Sequence, residues 1–381
     1  MKIEYVQLGK YIKEYNSRNK KLQCKDVYSV TNTQGFVSSN EYFNKEVYSK
    51  NLSNYKFVCR NMIAYNPSRV NVGSLAVQNK LDLVIVSPLY IVFEIVKNTF
   101  IPEFVSLFLH SCYGLAQIDN LTSGSVRDSL KYSALEKIKL PIYDIDKQEK
   151  IISNISYVDK LIYKCNKQLT LLDELTKSRF IEMFGIESEF DKWSCCAVSD
   201  VADVCVGVVI KPTQYYVDKG IPAFRSLNIG KMCVNDSDWV YFTDEGHQKN
   251  KKSVVHKNDV LVVRSGAPGT ACVVTEKYDG YNAVDIIIVH PDNEKVNSVF
   301  LAAFTNMPHG MNQIREKTGG AAQQHFNVGG YKSMRIIMPP INLQNQFADF
   351  VTQTDKSKLA IKQSLEKLET LKKSLMQQYF G

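Results

Sequence analysis

The longest regular pattern in the chain is a series of apolar positions spaced alternately four and three residues apart. It lies between about Asp146 and Phe184, a stretch that contains neither Pro nor Gly. Such a seam is typical of a long helix that packs against another helix. The seam positions are Ile151, Ile155, Val158, Ile162, Cys165, Leu169 and Leu172.

A second segment, from about Asn342 to Tyr379, repeats this pattern with polar interruptions. Its apolar seam residues are Phe347, Val351, Ile361, Leu365, Leu368 and Leu375, and its polar ones are Thr354, Lys358 and Lys372. At 1.5 Å a residue each helix is roughly 58 Å long. Because each helix would find only the other as an equally long apolar partner, an antiparallel pair is expected. The alternatives are that each helix covers its own globular region, or that the helices dimerise the chain.

The two segments are part of a longer internal repeat. Leu175–Gly185 aligns with Leu371–Gly381 at a shift of 196 positions. The same shift pairs residues upstream: Phe104 with Phe300, Phe108 with Phe304, Gln117 with Gln313, and Gly124 with Gly320. A slip to 198 positions then pairs Pro141 with Pro339 and Gln148 with Gln346, as a loop two residues longer in one copy would produce.

Each copy begins with a globular region in which apolar, strand-like runs alternate with Gly, Pro and Asn turn signals. The runs are Leu83–Val86, Tyr90–Phe93, Val260–Val263 and Ile286–Val289, and the helix-like stretches that follow are Phe104–Cys112 and Phe300–Asn306. The pattern predicts an α+β protein with two similar α/β domains, 1–143 and 186–340. Two long antiparallel coiled-coil helices, 144–185 and 341–381, separate them in a pseudo-two-fold tandem repeat.

Composition narrows the class of protein without fixing a function. The chain is 44% hydrophobic and carries a net charge of +8, which is compatible with nucleic-acid binding but does not require it. Its nine cysteines include no C-x-x-C pair, so neither a zinc site nor a disulfide framework is indicated. No apolar run is long enough for a membrane span and the first residues do not resemble a signal peptide, which predicts a cytoplasmic protein.

Polar loops between the strands of each copy are suited to contact DNA. Arginine can bind a guanine edge, Asn and Gln an adenine edge, and Ser or a backbone amide a phosphate. The alternative for each residue is an ordinary turn that bonds its own backbone. The candidates are Asn32, Gln34, Asn66, Ser68, Arg69, Asn71 and Arg127 in the first copy, and Arg225, Asn228, Arg264, Ser265, Gln323, Gln324 and His325 in the second.

Catalytic motifs are missing from the sequence. Asn66-Pro67-Ser68-Arg69 lacks the second Pro and the aromatic residue of an adenine methyltransferase pocket, and neither a G-x-G-x-x-G nor a Walker A element occurs. Pro291-Asp292 is not followed by a convincing nuclease Glu-x-Lys, and the six histidines have no local metal or triad spacing. We therefore expect no catalytic activity and no metal site in this chain.

The whole chain resembles the specificity subunits of Type I restriction-modification systems. The most specific stretches are 51–56, 64–73 and 122–130 in the first copy, and 320–329 and 338–346 in the second. The resemblance implies two target-recognition domains that each read one half of a bipartite DNA site. In this chain the Pro-rich element before the first helix is reduced to Leu140-Pro141-Ile142-Tyr143, without a second proline equivalent to Pro340.

The resemblance also implies the partners of the chain. These are double-stranded DNA, two methyltransferase (M) subunits that methylate adenine, and restriction (R) subunits, with S-adenosylmethionine, ATP and Mg²⁺ bound by the partner subunits and no cofactor by this chain. Apolar residues beside the seams are predicted to dock the methyltransferases: Ile152, Leu161, Leu171, Leu359 and Leu371. Alternative functions are a coiled-coil adaptor without a DNA role and a specificity module of a Type IIG/IIB-like system.

Overall fold

The computed structural model describes residues 4–42, 48–122, 129–318 and 325–381. It divides into two compact units: unit 1 is Met1–Asn166 with Gln363–Gly381, and unit 2 is Lys167–Lys362. Each unit therefore combines one globular region with one half of each long helix. The predicted domain boundaries after residues 143, 185 and 340 separate each long helix from the globular regions. The compact units instead group each helix end with the globular region that it packs against, so the predicted boundaries stay a prediction.

Unit 1 contains short strands, short helices and the first half of a long helix. The strands are β1 Tyr5–Gln7, β2 Ile12–Glu14, β3 Tyr28–Thr31, β4 Gly35–Ser38, β5 Lys56–Cys59, β6 Ile63–Tyr65, β7 Leu75–Val77, β8 Leu83–Val86, β9 Ile91–Ile95 and β10 Lys139–Pro141. The helices are α1 Ser39–Tyr42, α2 Pro102–Leu109, α3 Cys112–Thr122, α4 Tyr132–Leu135 and the long α5 Ile145–Phe184. An antiparallel sheet has the order β2-β9-β6-β7, and β1-β10, β3-β4 and β5-β8 form pairs.

Unit 2 has the same plan. Its strands are β11 Ser194–Ala197, β12 Ala202–Val206, β13 Tyr216–Val217, β14 Ile221–Phe224, β15 Ile229–Gly230, β16 Cys233–Val234, β17 Val240–Phe242, β18 Val260–Val263, β19 Ala271–Val273, β20 Asn282–Ala283, β21 Ile286–Pro291 and β22 Arg335–Met338. The helices are α6 Asp244–Lys249, α7 Ser298–Asn306, α8 Pro308–Thr318, α9 Val328–Lys332 and the long α10 Ile341–Phe380. One antiparallel sheet has the order β12-β21-β18-β19, and the second, β13-β17-β14-β20, includes the parallel pair β14-β20.

The cores confirm the strands that were read from apolar runs. All four residues of β18 are buried, as are Ile286–Val289 in the neighbouring β21, because these strands are covered on both faces. In unit 1 the ring of Phe380, at the end of α10, packs 5.4 Å from that of Phe104 and 5.8 Å from that of Phe108.

No helix in the described ranges carries an apolar stretch long enough to cross a membrane.

The long helices pair antiparallel within each unit, as predicted. In unit 1, Asn154 of α5 bonds Tyr379 of α10, while Asp159, further along α5, pairs with Lys372, further back along α10. Unit 2 repeats this order reversal, since Asp173 pairs with Lys358 and Phe180 packs on Phe347. The second half of α5 belongs to unit 2, so α5 does not simply cover the globular region that precedes it.

The predicted seam residues face the partner helix. Ile151, Ile155 and Val158 of α5 are buried, and the seam positions further along are at least half-buried. The two lysines in the α10 seam are tolerated because each meets an aspartate: Lys372 Nζ lies 2.6 Å from Asp159, and Lys358 Nζ 2.7 Å from Asp173.

Shared hydrogen bonds define the register of the repeat. The side-chain amide of Gln117 bonds both backbone groups of Lys139, and that of Gln313, 196 positions on, does the same for Arg335. Both long helices also begin and end 196 positions apart.

The predicted slip to 198 positions is wrong. Gln148 accepts from the Ile101 N–H, and Gln344, not Gln346, makes the equivalent bond to the N–H of Asn297. The shift of 196 therefore continues from α3 to the end of α5. Pro339 occupies the place of Tyr143, because the Tyr143 carbonyl accepts from Gln148 and the Pro339 carbonyl from Gln344. The apparent match of Pro141 with Pro339 was therefore coincidental.

Candidate nucleic-acid interface

In unit 2 a buried arginine organises three of the predicted contact residues. Arg264 follows β18 directly, and only 10% of its side chain is exposed. Its guanidinium donates to Asp285 Oδ1 at 2.6 Å, to His325 Nε2 at 2.5 Å and to the Phe326 carbonyl at 3.2 Å. The guanidinium is therefore committed to holding two loops together, which is a positioning role; a direct contact of Arg264 with a base stays a prediction.

This arrangement fixes the donor and acceptor roles of the next two side chains. A guanidinium has only donors, so Nε2 of His325 must accept, and the ring proton lies on Nδ1. That proton points at Ser265 Oγ, 2.6 Å away. Because Ser265 Oγ accepts this bond, its own hydrogen is left to donate to another acceptor, and a phosphate oxygen is a suitable one.

The loop that carries Ser265 has an open backbone. Gly266 has φ +88 and no atom within 4 Å of the place where a Cβ would lie, so this turn can approach a ligand closely. The N–H of Phe326 donates to the Arg264 carbonyl at 3.0 Å, which ties this loop to the one that ends at His325. Gln323 and Gln324, also predicted here, lie outside the described residues.

The third polar loop of unit 2 lies beside the same cluster. Arg225 follows β14, and the Phe224 carbonyl accepts from the N–H of Val284, next to Asp285. The Arg225 guanidinium donates to the Asp238 carbonyl. Asn228 is fully buried, and its amide bonds the Arg225 N–H and the carbonyls of a neighbouring turn. Asn228 therefore shapes the loop, and any effect of it on DNA reading runs through the loop conformation.

In unit 1 the predicted loops also meet. A Cβ on Gly73, whose φ is +93, would lie 3.4 Å from the Asn32 side chain, so the loop after β3 packs against the loop after β6. The side chains of Asn32 and Gln34 are exposed there. The N–H of Leu130, which follows the third predicted loop along the chain, donates to the Pro67 carbonyl at 3.0 Å.

Within the loop after β6, the side chains divide into turn formers and exposed groups. Asn66 Oδ1 accepts from the Ser68 N–H at 3.1 Å and closes an Asx turn. Arg69, Asn71 and the Ser68 hydroxyl are exposed. Arg127 lies outside the described residues.

One hydrogen bond occupies the same place in both copies. Leu130 and Phe326 are 196 positions apart, and each donates its N–H to a carbonyl of the central loop, at Pro67 and Arg264. The frame is therefore conserved between the copies, whereas the side chains that it presents differ: an exposed Arg69 in unit 1, and a clamped Arg264 with an oriented Ser265 in unit 2. This difference suits two surfaces that read different sequences.

The residues predicted to dock partner proteins differ in exposure. Leu171, Leu359 and Leu371 are 50%, 58% and 46% exposed, which is unusual for leucine on a helix of this length. Leu161 is half-buried, and Ile152 packs against the core of unit 1. Among the predicted docking residues, these three leucines are the most exposed.

Comparisons with known proteins agree with this architecture. Residues 191–372 match the family described as Type I restriction modification DNA specificity domain. Two relatives come from Methanocaldococcus jannaschii. The Type I restriction enzyme MjaIX specificity subunit is 22% identical over 61% of this chain and 58% of its own length, and the MjaVIII specificity subunit is 21% identical over 67% and 64%. The matched regions thus span less than two thirds of these relatives.

Two solved structures have the same fold along the whole chain. One belongs to a type I R-M system studied for its complex assembly and conformational transition (TM-score 0.60, 14% identity, covering 100% of this chain and 98% of that chain). The other is a Type I restriction-modification S subunit from M. genitalium (TM-score 0.59, 12% identity, covering 100% and 96%). The fold is therefore that of Type I specificity subunits. Residues 191–372 match the Type I restriction modification DNA specificity domain, which confirms the resemblance noted from the sequence.

Asp285 is the functional residue that sequence reasoning missed. It holds Arg264 from 21 positions away and has φ +51, a conformation that Asp and Asn adopt more readily than most residues. The sequence offered only a weak signal, an acidic residue directly before the buried run Ile286–Val289.

Proposed function

We propose that this chain is the DNA-reading specificity subunit of a Type I restriction-modification complex. The observation that carries the proposal is the repeated frame in which polar loops meet in each unit, held by the equivalent Leu130 and Phe326 hydrogen bonds. Each cluster would read one half of a bipartite target, with arginine and amide side chains on base edges and Ser265 on a phosphate. Bases between the half-sites would go unread.

In this proposal the chain has no catalytic role and works through its partners. Two methyltransferase (M) subunits and restriction (R) subunits bind it, and S-adenosylmethionine, ATP and Mg²⁺ belong to those subunits. The exposed leucines of α5 and α10 are the proposed docking positions for the methyltransferases. The complex would act on double-stranded DNA in the cytoplasm.

Selection from a random duplex library tests DNA reading directly. The full chain, with its methyltransferase partner, is incubated with the library at several salt concentrations, and bound DNA is sequenced. We expect two defined half-sites separated by a gap of fixed length. An absence of preference at every salt concentration would favour the adaptor function instead.

Single substitutions assign each half-site to a unit. Arg69→Ala is expected to lose about 1–3 kcal/mol of discrimination in one half-site only, and Arg225→Ala in the other. Ser265→Ala is expected to weaken binding to all sequences alike, because a phosphate contact carries no base information. Arg60→Ala is the control, since this exposed arginine pairs with Asp82 outside the loops. If both arginine variants relax the same half-site, the assignment of one half-site to each unit is wrong.

Co-purification tests the docking positions. Leu171→Asp with Leu371→Asp is expected to abolish recovery of the methyltransferase subunit, because an aspartate in an apolar interface is left without a partner. Leu89→Asp is the control, since Leu89 is 77% exposed and lies outside the long helices. Intact co-purification of the double variant would contradict this part of the proposal.

A further inference from the structure

A cysteine, a histidine and an aspartate form a hydrogen-bonded chain in unit 2, apart from the loops described above. Cys205 Sγ lies 3.6 Å from His290 Nε2, and His290 Nδ1 lies 2.7 Å from Asp259 Oδ1. The other oxygen of Asp259 accepts from the backbone N–H of His256 at 2.6 Å. The arrangement has the order nucleophile, base and orienting acid that activates thiols in enzymes.

The sheet itself brings these residues together. Cys205 of β12 is paired with Ile288 of β21, and His290 lies two residues further along β21, on the same face. Asp259 directly precedes β18, which pairs with the opposite edge of β21. The histidine is therefore held between the other two residues by backbone pairing on both sides.

The surroundings favour a charged histidine. Only 6% of the Asp259 side chain is exposed, and its hydrogen bond, followed by that of Cys205, raises the pKa of His290 to about 10. At neutral pH the ring is thus an imidazolium whose Nε2–H points at the sulfur. The carbonyl of Lys252, 3.4 Å from Sγ, accepts the S–H of the protonated thiol, and on ionisation His290 becomes the partner of the sulfur. The sulfur is partly exposed, so a small reagent can reach it.

We propose that Cys205 is a peroxide-reactive thiol, activated by His290 and Asp259, and that this site is independent of DNA reading. The thiolate sulfur attacks one oxygen of hydrogen peroxide and the O–O bond breaks. The departing hydroxide takes the Nε2 proton of His290 and leaves as water. Sulfur is oxidised by two electrons to a sulfenic acid, and the peroxide is reduced.

Site-resolved modification of the full chain tests this. Hydrogen peroxide with a sulfenic-acid trap, and iodoacetamide separately, are applied at pH 7, and each cysteine is quantified by peptide mass spectrometry. An ordinary thiol is only a few per cent ionised at pH 7, so we expect Cys205 to react about tenfold faster than the more exposed cysteines. The exposed cysteines used for comparison are Cys112 and Cys195.

His290→Gln is expected to slow the reaction of Cys205 about tenfold at pH 7, because the sulfur loses its hydrogen-bond partner. Asp259→Asn is expected to slow it less, because the ring remains but loses its orienting charge. His110→Gln is the control: its ring bonds the Ser106 carbonyl in unit 1, so Cys205 should react as in the unaltered chain.

Two results would overturn the proposal: Cys205 reacting more slowly than the exposed cysteines, or reacting equally fast in the unaltered chain and in folded His290→Gln. The buried Cys24 and Cys272 report whether each variant is folded, since they should stay unmodified. If His290→Gln fails to fold, the unaltered chain decides: Cys205 reacting no faster than Cys112 and Cys195 overturns the proposal.

Discussion

Replacement of Gln148 by Met removes three buried hydrogen bonds without leaving a large cavity. Gln148 is fully buried near the start of α5. Its carbonyl accepts from the Ile101 N–H at 2.9 Å, and its amide donates to the carbonyls of Thr99 and Tyr143 at 2.7 and 2.8 Å. The side chain therefore joins the beginning of α5 to the loop before α2.

The cost follows from the groups left behind. Met has nearly the same volume but no donor or comparable acceptor, so one buried N–H and two carbonyls lose this partner. A buried polar group without its partner costs about 1–3 kcal/mol, and the two carbonyls can recover part of their loss, so we expect a total near 3 kcal/mol. Gln344→Met, 196 positions on, breaks two such bonds, to Asn297 N–H and to the Pro339 carbonyl, and is expected to cost about 2 kcal/mol.

Denaturant unfolding, followed by circular dichroism and by hydrogen exchange of each unit, measures both costs. Gln168→Met is the control, because Gln168 is exposed on the same helix; its effect should stay within about 0.5 kcal/mol. Gln148→Met should reduce protection mainly in unit 1, and Gln344→Met mainly in unit 2. A loss below about 1 kcal/mol for Gln148→Met would refute the reasoning that this amide is a structural link.

Three further predictions concern charge. Lys372→Glu places a like charge beside Asp159 and is expected to lower the free energy of unfolding by about 1 kcal/mol. Adding Asp159→Lys should restore that stability in chemical denaturation. A double variant no more stable than the single one would contradict the ion pair. Burial lowers the pKa of His309 to about 4, so below about pH 6.5 the unfolded chain takes up a proton that the folded chain does not. The free energy of unfolding should therefore fall by up to about 3 kcal/mol between pH 6.5 and 4. His309→Phe should flatten that part of the stability profile. Asp285→Asn keeps a residue suited to φ +51 but leaves the buried Arg264 without its carboxylate, so unit 2 should lose about 2–4 kcal/mol; an unchanged denaturation midpoint would show that the pair is not needed.

The sequence was most informative where structure is periodic. Apolar spacing predicted both long helices and placed two lysines in the α10 seam. Their antiparallel pairing was predicted from the equal length of the two apolar seams. Repeat matching was correct at Gln117 and Gln313, whose side chains make the same bonds. It was wrong at Pro141 and Gln148, because identical residues lie two positions from the true equivalents.

The candidate site was predicted less well, because its contacts join distant positions. Nothing local to Arg264 indicated that Asp285 and His325 would engage it, and the burial of Asn228 depends on the fold of its whole turn. The sequence located the polar loops, whereas the division of their side chains into exposed and buried groups followed only from the structure.

The ion pairs of the seam make the two copies non-interchangeable. Both acids lie on α5 and both bases on α10. If α5 met a second α5 in the same register, Asp159 would face Thr176 and Asp173 would face Ile162, so each carboxylate would lose its cation. A gene rearrangement that exchanges only the globular regions keeps the acids on one helix and the bases on the other. A rearrangement that duplicates the first copy loses this pairing of opposite charges. Globular regions can thus be exchanged without loss of these ion pairs, provided that α5 and α10 keep their order.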